Sequence, residues 1–291
     1  MSTPLAAPRP PAIPLPTASE REFGFDAVDF ERVRTLIHQR AGIHLQPGKQ
    51  AMVYSRLSRR LRETPHRSFA DYLRWLERAI GAEAEAEWQE FVNCLTTNLT
   101  HFFREEHHFP VLAEALKARR GPSMRLWCNA ASTGEEPYSL AMTAIEALGP
   151  NPSLRILASD IDTKVLATAQ RGVYDSTARG LSPERLRAHF LRGTGANAGA
   201  IRVKPEVARL VEFRGFNLMA PSWSLGEPFD IVFCRNVMIY FDAPTQRRVL
   251  ERMHQVLKPG GLLFAGHSEN FSDARELFRL RGKTVYERVG A

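Results

Sequence analysis

A chain of 291 residues, 44% hydrophobic and 24% charged, can bury one large core and a smaller one, which implies one or two globular domains. No run of about 18 uncharged apolar residues is present, which excludes a membrane-spanning helix, and prolines at Pro4, Pro8, Pro10, Pro11, Pro14 and Pro16 interrupt any secretory signal. The net charge of +7 asks for an acidic partner, whereas the three widely spaced cysteines, Cys94, Cys128 and Cys234, fit neither a disulfide framework nor a metal site and read as reduced cytosolic thiols.

Residues 1–18 are expected to form a disordered, proline-rich tail, and residues 19–95 a helical domain. Apolar residues at three- and four-residue spacing predict helices near 26–40, 48–63, 68–80 and 83–95. In the second, Val53, Leu57 and Leu61 form one stripe; Arg59 and Arg62 lie opposite it, with Lys49, Arg56 and Arg60 at its flanks. Between Arg32 and Arg67 there are nine basic residues and one acid, Glu63. The face is either an ordinary solvated surface or a dock for an anionic partner.

Residues 96–122 read as a linker and cofactor-capping segment, and residues 123–291 as a doubly wound, Rossmann-like α/β domain. Its strand-like runs are 124–128, 154–159, 229–234 and 262–265, alternating with helical runs at 135–148, 163–170 and 243–257. The rhythm breaks over about 181–215, where a helix at 183–191, a glycine-rich turn and strand-like runs at 200–204 and 209–213 suggest a small β subdomain.

Ligands of open α/β sheets sit beyond the carboxyl ends of the strands, where strand order reverses. The first run ends at Cys128 and Asn129, and the small residues Ala130, Ala131, Ser132, Thr133 and Gly134 then lead into a helix at Glu135, making residues 129–138 the candidate ligand loop. A phosphate-bearing nucleotide calls for GxGxxG or GxxxxGK[ST], and neither is present. Glu135 and Glu136 instead suit a cationic group, and S-adenosylmethionine carries an ammonium and a sulfonium without phosphate. Charge stabilisation of the helix start is the alternative, and is preferred for Glu136. Asp160, closing the second strand, is placed to accept ribose hydroxyls, whereas Asp162 reads as a helix cap. A further polar group, Arg235 and Asn236 followed by Tyr240, ends the strand at 229–234. On residue type alone, the segment 96–105 is a helix cap followed by core phenylalanines.

Five segments, TTNLTHFFRE from Thr96, AASTGEEPYS from Ala130, ASDID from Ala158, FCRNVMIYF from Phe233 and GLLFAGHSE from Gly261, together resemble the chemotaxis receptor methyltransferase family, CheR. The resemblance runs from about residue 25 to 288 and implies a protein-glutamate O-methyltransferase. Such an enzyme esterifies chemoreceptor glutamates with S-adenosylmethionine in chemotaxis adaptation and leaves S-adenosylhomocysteine. It implies that Asn98, Thr100, Arg104, Glu135, Asp160, Asn217, Leu218, Arg235 and Asn236 surround the cofactor, with Arg104 and Tyr240 beside the transferred methyl group. The basic face (Lys49, Arg56, Arg59, Arg60, Arg62) would dock receptor helices. The loop bearing Gly193, Gly195 and Gly199 would take a receptor C-terminal peptide, as in some family members, or is simply a hairpin turn. A cytoplasmic enzyme recruited to receptor arrays is expected, with neither metal nor nucleic acid. A nucleic-acid methyltransferase is disfavoured because Arg235-Asn-Val-Met stands where a [DN]PP[FY] loop would bind a base amine. A non-catalytic adaptor is disfavoured by the retained site residues.

Overall fold

The computed structural model describes residues 22–119 and 123–290; the tail expected over residues 1–18 lies outside the described residues. Two compact units divide the chain: the described residues up to His38 with Leu45–Leu95, and Gln39–His44 with the residues from Thr96 onward.

The first unit is built from α1 (Ala27–Ala41), α2 (Gln50–Arg62), α3 (Phe69–Arg78) and α4 (Ala82–Leu95), each ending within two residues of the run predicted for it. The predicted stripe Val53, Leu57 and Leu61 is buried, as are Phe69, Leu73 and Leu76 of α3 and Phe91 of α4. Each such side chain contributes ~1.5–3 kcal/mol over its exposed state. Ser68 starts α3 by accepting the Asp71 amide at 3.2 Å.

The basic face of α2 is smaller than its charge count suggested. Arg60 turns to Glu87 of α4, with bonds of 2.9 and 2.5 Å, and the buried Tyr72 hydroxyl donates to the same carboxylate at 2.7 Å. Burial opposes ionisation of Glu87, but these donors outweigh it and hold the carboxyl below its ordinary range. Arg62 pairs with Glu22 at 2.6 Å, and Arg56 donates to the Cys94 carbonyl at 3.4 Å. A charge count along one helix cannot register acids that arrive from other elements. Lys49 and Arg59 stay exposed.

From Thr96 the second unit runs into α5 (His108–Ala118), so the residues read as a linker and cofactor-capping segment carry a helix of that unit. Pro110 falls in its first turn, where a missing N–H costs nothing, and Phe109, Leu112 and Leu116 enter the core. There follow β1 (Met124–Cys128), α6 (Glu135–Leu148), β2 (Leu154–Asp160), α7 (Thr163–Arg171), β3 (Val173–Asp175), α8 (Pro183–His189), β4 (Phe190–Arg192), β5 (Ala200–Val203) and α9 (Pro205–Ala208). The chain closes with β6 (Val211–Gly215), β7 (Phe229–Cys234), α10 (Ala243–Val256), β8 (Leu257–Ala265), β9 (Phe278–Gly282) and β10 (Val285–Arg288).

The main sheet has the order β6-β2-β1-β7-β8-β10-β9, parallel from β6 to β8 and antiparallel at β10 and β9. Strand alternation feeds two cores. Leu126, Ile156 and Ile231 face the core holding residues of α5 and α6, while Trp127, Leu157 and Val232 face the core holding residues of α10. The chain leaves β1 towards β2 on one side and returns through β7 on the other, so the crevice expected for a ligand opens beyond the ends of β1, β2 and β7.

A second sheet, β3-β5-β4, is the β subdomain, but its limits differ from those expected. It begins earlier, with Val173–Asp175, and ends at Val203. The run expected at 209–213 instead becomes β6, parallel to β2, with Ile156 opposite Val211 and Asp160 opposite Gly215. The interior of β2 is buried from Ile156 to Asp160, and its outer edge needs a hydrogen-bonding partner there.

Candidate active site

The ligand loop owes its shape to positions that hold left-handed backbone. Ser132 sits at φ 48° and Gly134 at φ 99°, and a Cβ at residue 134 would lie 2.6 Å from the Tyr174 hydroxyl oxygen and 2.9 Å from the Ala169 Cβ. Only glycine fits. The Asn129 amide bonds to the Phe233 carbonyl at 3.1 Å and the Ala131 amide to the Ser159 carbonyl at 3.0 Å, tying the loop to the tips of β7 and β2.

Asp160 is buried beneath this loop and accepts the Ser132 amide at 2.8 Å and the Asp162 amide at 3.0 Å. Burial pushes its carboxyl up to about 6 against the pull of those amides. The Ile161 amide pulls in the same sense, and the lone-pair capacity that remains on the carboxylate is what a hydroxyl donor would use. Glu135 is half-buried at the start of α6; burial raises its carboxyl, and the Thr133 hydroxyl, donating at 2.6 Å, pulls the other way. Asp162 caps α7 as predicted, accepting the Lys164 and Val165 amides at 2.9 and 3.3 Å. Its other oxygen receives Thr96 Oγ1 at 2.6 Å and Asn98 Nδ2 at 2.8 Å, while Ser132 Oγ donates to the Asn98 carbonyl at 3.0 Å. The segment 96–98 is thus fastened to the ligand loop.

Arg104 closes a turn by donating to the Leu99 carbonyl at 2.8 Å, between Phe103 and Glu105, which both hold positive φ (52° and 54°). Arg235 lies inside the site's framework. Its side chain is fully buried and its guanidinium meets Glu136 at 2.6 Å, Glu105 at 3.3 Å and the Arg104 carbonyl at 2.6 Å. Both terminal nitrogens are bonded to these groups, which gives Arg235 a bracing role beside the cofactor contact expected of it. Glu136 is correspondingly no surface charge at a helix start: burial raises its carboxyl and Arg235 opposes that rise. Burial also works against ionisation of Glu105, but Arg235, the His267 amide and Asn236 outweigh it and hold the carboxyl at about 2.

Asn236 stands at φ 58° with its side-chain nitrogen 3.3 Å from Glu105 Oε1. Tyr240 ends a 3-10 turn, Met238–Tyr240, whose last carbonyl accepts the His44 amide at 2.7 Å. Asn217 accepts the Met219 amide at 2.8 Å and donates to the Arg40 carbonyl at 2.7 Å, and Leu218 is buried beside it. Thr100 is half-buried, with no side-chain bond recorded among the described residues. In the β subdomain, a Cβ on Gly193 would lie 2.0 Å from the Asn197 carbonyl oxygen, and Gly195 and Gly199 hold φ of 56° and 87°. All three glycines are needed by the hairpin itself.

Sequence reasoning passed over two acids that organise the site, Glu105 and Glu269, and read a third, Glu136, only as charge at a helix start. The available signal was an acid closing or following an apolar run. Glu105, His107 and His108 bring ligand-type atoms within 4.8 Å of one another, yet Glu105 already has the Arg235 guanidinium at 3.3 Å, which a metal cation would have to face. An open cleft of about 950 Å³ bordered by Glu105, Glu146, Arg179 and Arg185 is lined by none of Asp160, Glu135, Asn236 or Tyr240.

An open, mainly parallel sheet, a small-residue loop with no phosphate cradle, and carboxylates at the crevice beyond the strand ends are the features of a Rossmann-like domain for a ligand without phosphate, the class to which S-adenosylmethionine-dependent methyltransferases belong. Residues 98–287 match the CheR methyltransferase S-adenosylmethionine-binding domain and residues 28–96 the CheR methyltransferase all-alpha domain. The chain is similar to a chemotaxis protein methyltransferase of Klebsiella aerogenes, 55% identical over 88% of this chain and 88% of the relative. It is also similar to chemotaxis protein methyltransferase 2 of Pseudomonas aeruginosa (52% identical, 95% and 99% covered) and to the Escherichia coli K12 chemotaxis protein methyltransferase (52% identical, 88% and 89% covered). The chain belongs to the CheR family, and is an S-adenosylmethionine-dependent chemotaxis methyltransferase. Among the described residues, no helix is long and apolar enough to cross a membrane.

Proposed function

We propose that this enzyme methylates glutamate side chains of chemoreceptors, forming methyl esters in adaptation. The observation that carries the reading is Arg104. Its Nη1 is held by the Leu99 carbonyl, and no bond to its Nε or Nη2 is recorded among the described residues, whereas both terminal nitrogens of Arg235 are bonded. A half-buried cation with donors to spare suits an incoming carboxylate.

Bound S-adenosylmethionine supplies an electrophilic methyl group on a sulfonium. A glutamate acceptor, with a reference pKa of about 4.3, is already ionised at neutral pH and needs no general base. The carbon–oxygen bond would form as the carbon–sulfur bond breaks, which would remove both the positive charge on sulfur and the negative charge on the carboxylate. The work left to the protein is orientation and exclusion of water. Asp160 would hold the ribose and Glu135 the cationic end of the cofactor, with Asn98, Thr100, Asn217, Leu218 and Asn236 around them. Arg104 would hold the spectator oxygen of the acceptor, and Tyr240 would align donor and acceptor. Lys49 and Arg59 would meet the acidic receptor helix, and the Gly193–Gly199 hairpin would take a receptor C-terminal peptide, raising the effective receptor concentration.

The test is transfer of labelled methyl to a receptor cytoplasmic fragment and, in parallel, to RNA. Alkali-labile label on the fragment, released as methanol, is expected; label on RNA alone refutes the reading.

A further inference from the structure

The segment Gly261 to Glu269 ends in a carboxylate to which the functional reading assigns nothing. Glu269 is 4% exposed, and four backbone amides converge on it. Its Oε1 accepts Val237 at 2.9 Å and Met238 at 2.8 Å, and its Oε2 accepts Asn236 at 3.0 Å and Gly266 at 2.5 Å. Three of these donors are consecutive, because Asn236 lies in left-handed conformation (φ 58°) and Val237 returns to the right-handed region (φ −119°, ψ −36°). Successive amides turned to one point in this way form a concave anion site. Here the anion is built into the chain.

The nest also explains a strained residue. A non-glycine residue with positive φ persists only where its surroundings over-determine it. Asn236 is held at both ends: its backbone amide by Glu269 and its side-chain nitrogen by Glu105 Oε1 at 3.3 Å. The strand end at Gly266 leaves room for this, since a Cβ there would lie 2.5 Å from Asn236 Nδ2 and 2.9 Å from Glu269 Oε2. Tyr240 hangs from the same device. Its amide bonds to the carbonyl of Val237 at 3.1 Å, and that of Phe241 to Met238 at 3.0 Å, so the turn carrying the tyrosine is built on the two residues whose amides Glu269 grips.

We propose that Glu269 is a positioning residue for methyl transfer, occupying the anion nest after β7 and so setting Asn236 and Tyr240 at the reacting end of the cofactor. This rests on the reading that those two residues line the site. A carboxylate is required because four donors need two acceptor oxygens; an amide offers one oxygen and turns its own N–H groups on the remaining donors.

The experiment compares full-length Glu269→Gln and Gly266→Ala with wild type. Glu269→Gln empties the nest of charge, and Gly266→Ala pushes on Asn236 without removing any charge. The measurements are S-adenosylhomocysteine affinity by calorimetry, kcat and KM with a receptor fragment, and melting, with kinetics run well below each variant's Tm. Misplacement by a fraction of an ångström should lower kcat roughly 10- to 100-fold and weaken S-adenosylhomocysteine several-fold in both variants, with KM for the receptor fragment unchanged. Wild-type kcat and affinity in either folded variant overturn the inference, as does a loss of activity that only follows the unfolded fraction. Should Glu269→Gln fail to fold, Gly266→Ala decides. Asn236→Ala and Tyr240→Phe run alongside: wild-type turnover in both would mean that the site reading has failed, whereas their loss with unaffected Glu269 and Gly266 variants means that only the positioning inference has.

Discussion

Raising the pH from about 5 to about 8 should tighten S-adenosylhomocysteine binding through Asp160, whose carboxyl is pushed up from 3.8 to about 6 by burial. Between those two values the folded chain keeps a proton that the unfolded chain has released. Stability therefore falls as pH rises through that window and levels off above it, by about 3 kcal/mol at most. The ligand has the opposite sign. Ribose hydroxyls donate more strongly to the anion than to the neutral acid, so binding below pH 6 releases a proton. If only the anion binds, Kd at pH 5 is about tenfold weaker than at pH 7.5. Glu135, also raised by burial, acts in the same sense, and Asp160→Asn separates the two. Calorimetry from pH 5 to 8 should show a wild-type Kd with an inflection near 6 and a weaker Asp160→Asn variant without that inflection. A wild-type Kd that does not change, or an asparagine variant with the same inflection, refutes the assignment of Asp160 to the ribose.

Arg235→Met leaves Glu136 and Glu105 buried without their guanidinium and should cost about 3–5 kcal/mol, or roughly 10 °C in Tm for a chain of this size; thermal melting with a shift of only a degree or two would count against the buried pair. Arg104→Ala and Tyr240→Phe should melt like wild type and lose turnover, and wild-type rates in both would remove their assigned roles. Reversing Lys49 and Arg59 to Glu should raise KM for a receptor fragment at low salt while leaving S-adenosylhomocysteine affinity unchanged, a difference that added salt shrinks. An unaltered KM would detach the receptor from this face.

Much of the fold could be read because its strands are short apolar runs closed by small or acidic residues. Met124–Cys128 and Phe229–Cys234 have the limits that their composition announced. What stayed hidden depended on partners distant in sequence. Val211–Gly215 looks like any short strand, and only the free edge of β2 decides which sheet it joins. Phe278–Gly282 and Val285–Arg288, with three arginines and a lysine from Phe278 to Arg288, lack the apolar texture of strands and pair as an antiparallel edge. The helix at His108 was obscured by Pro110, harmless in a first turn. At the site, acids and amides near strand ends could be recognised, but not which of them face a ligand. Arg235 and Glu136 are 99 positions apart, and no local pattern announces the internal brace that their contact makes.

The nest around Glu269 also bears on how the protein is made. Domains emerge and fold from the amino-terminal side during synthesis. The helices of the first unit are complete by Leu95, but the turn bearing Asn236 and Tyr240 has no anion until Glu269, more than thirty residues after Asn236, leaves the ribosome. A cofactor that relies on this turn would therefore begin to stabilise the fold only after the segment carrying Glu269 has emerged.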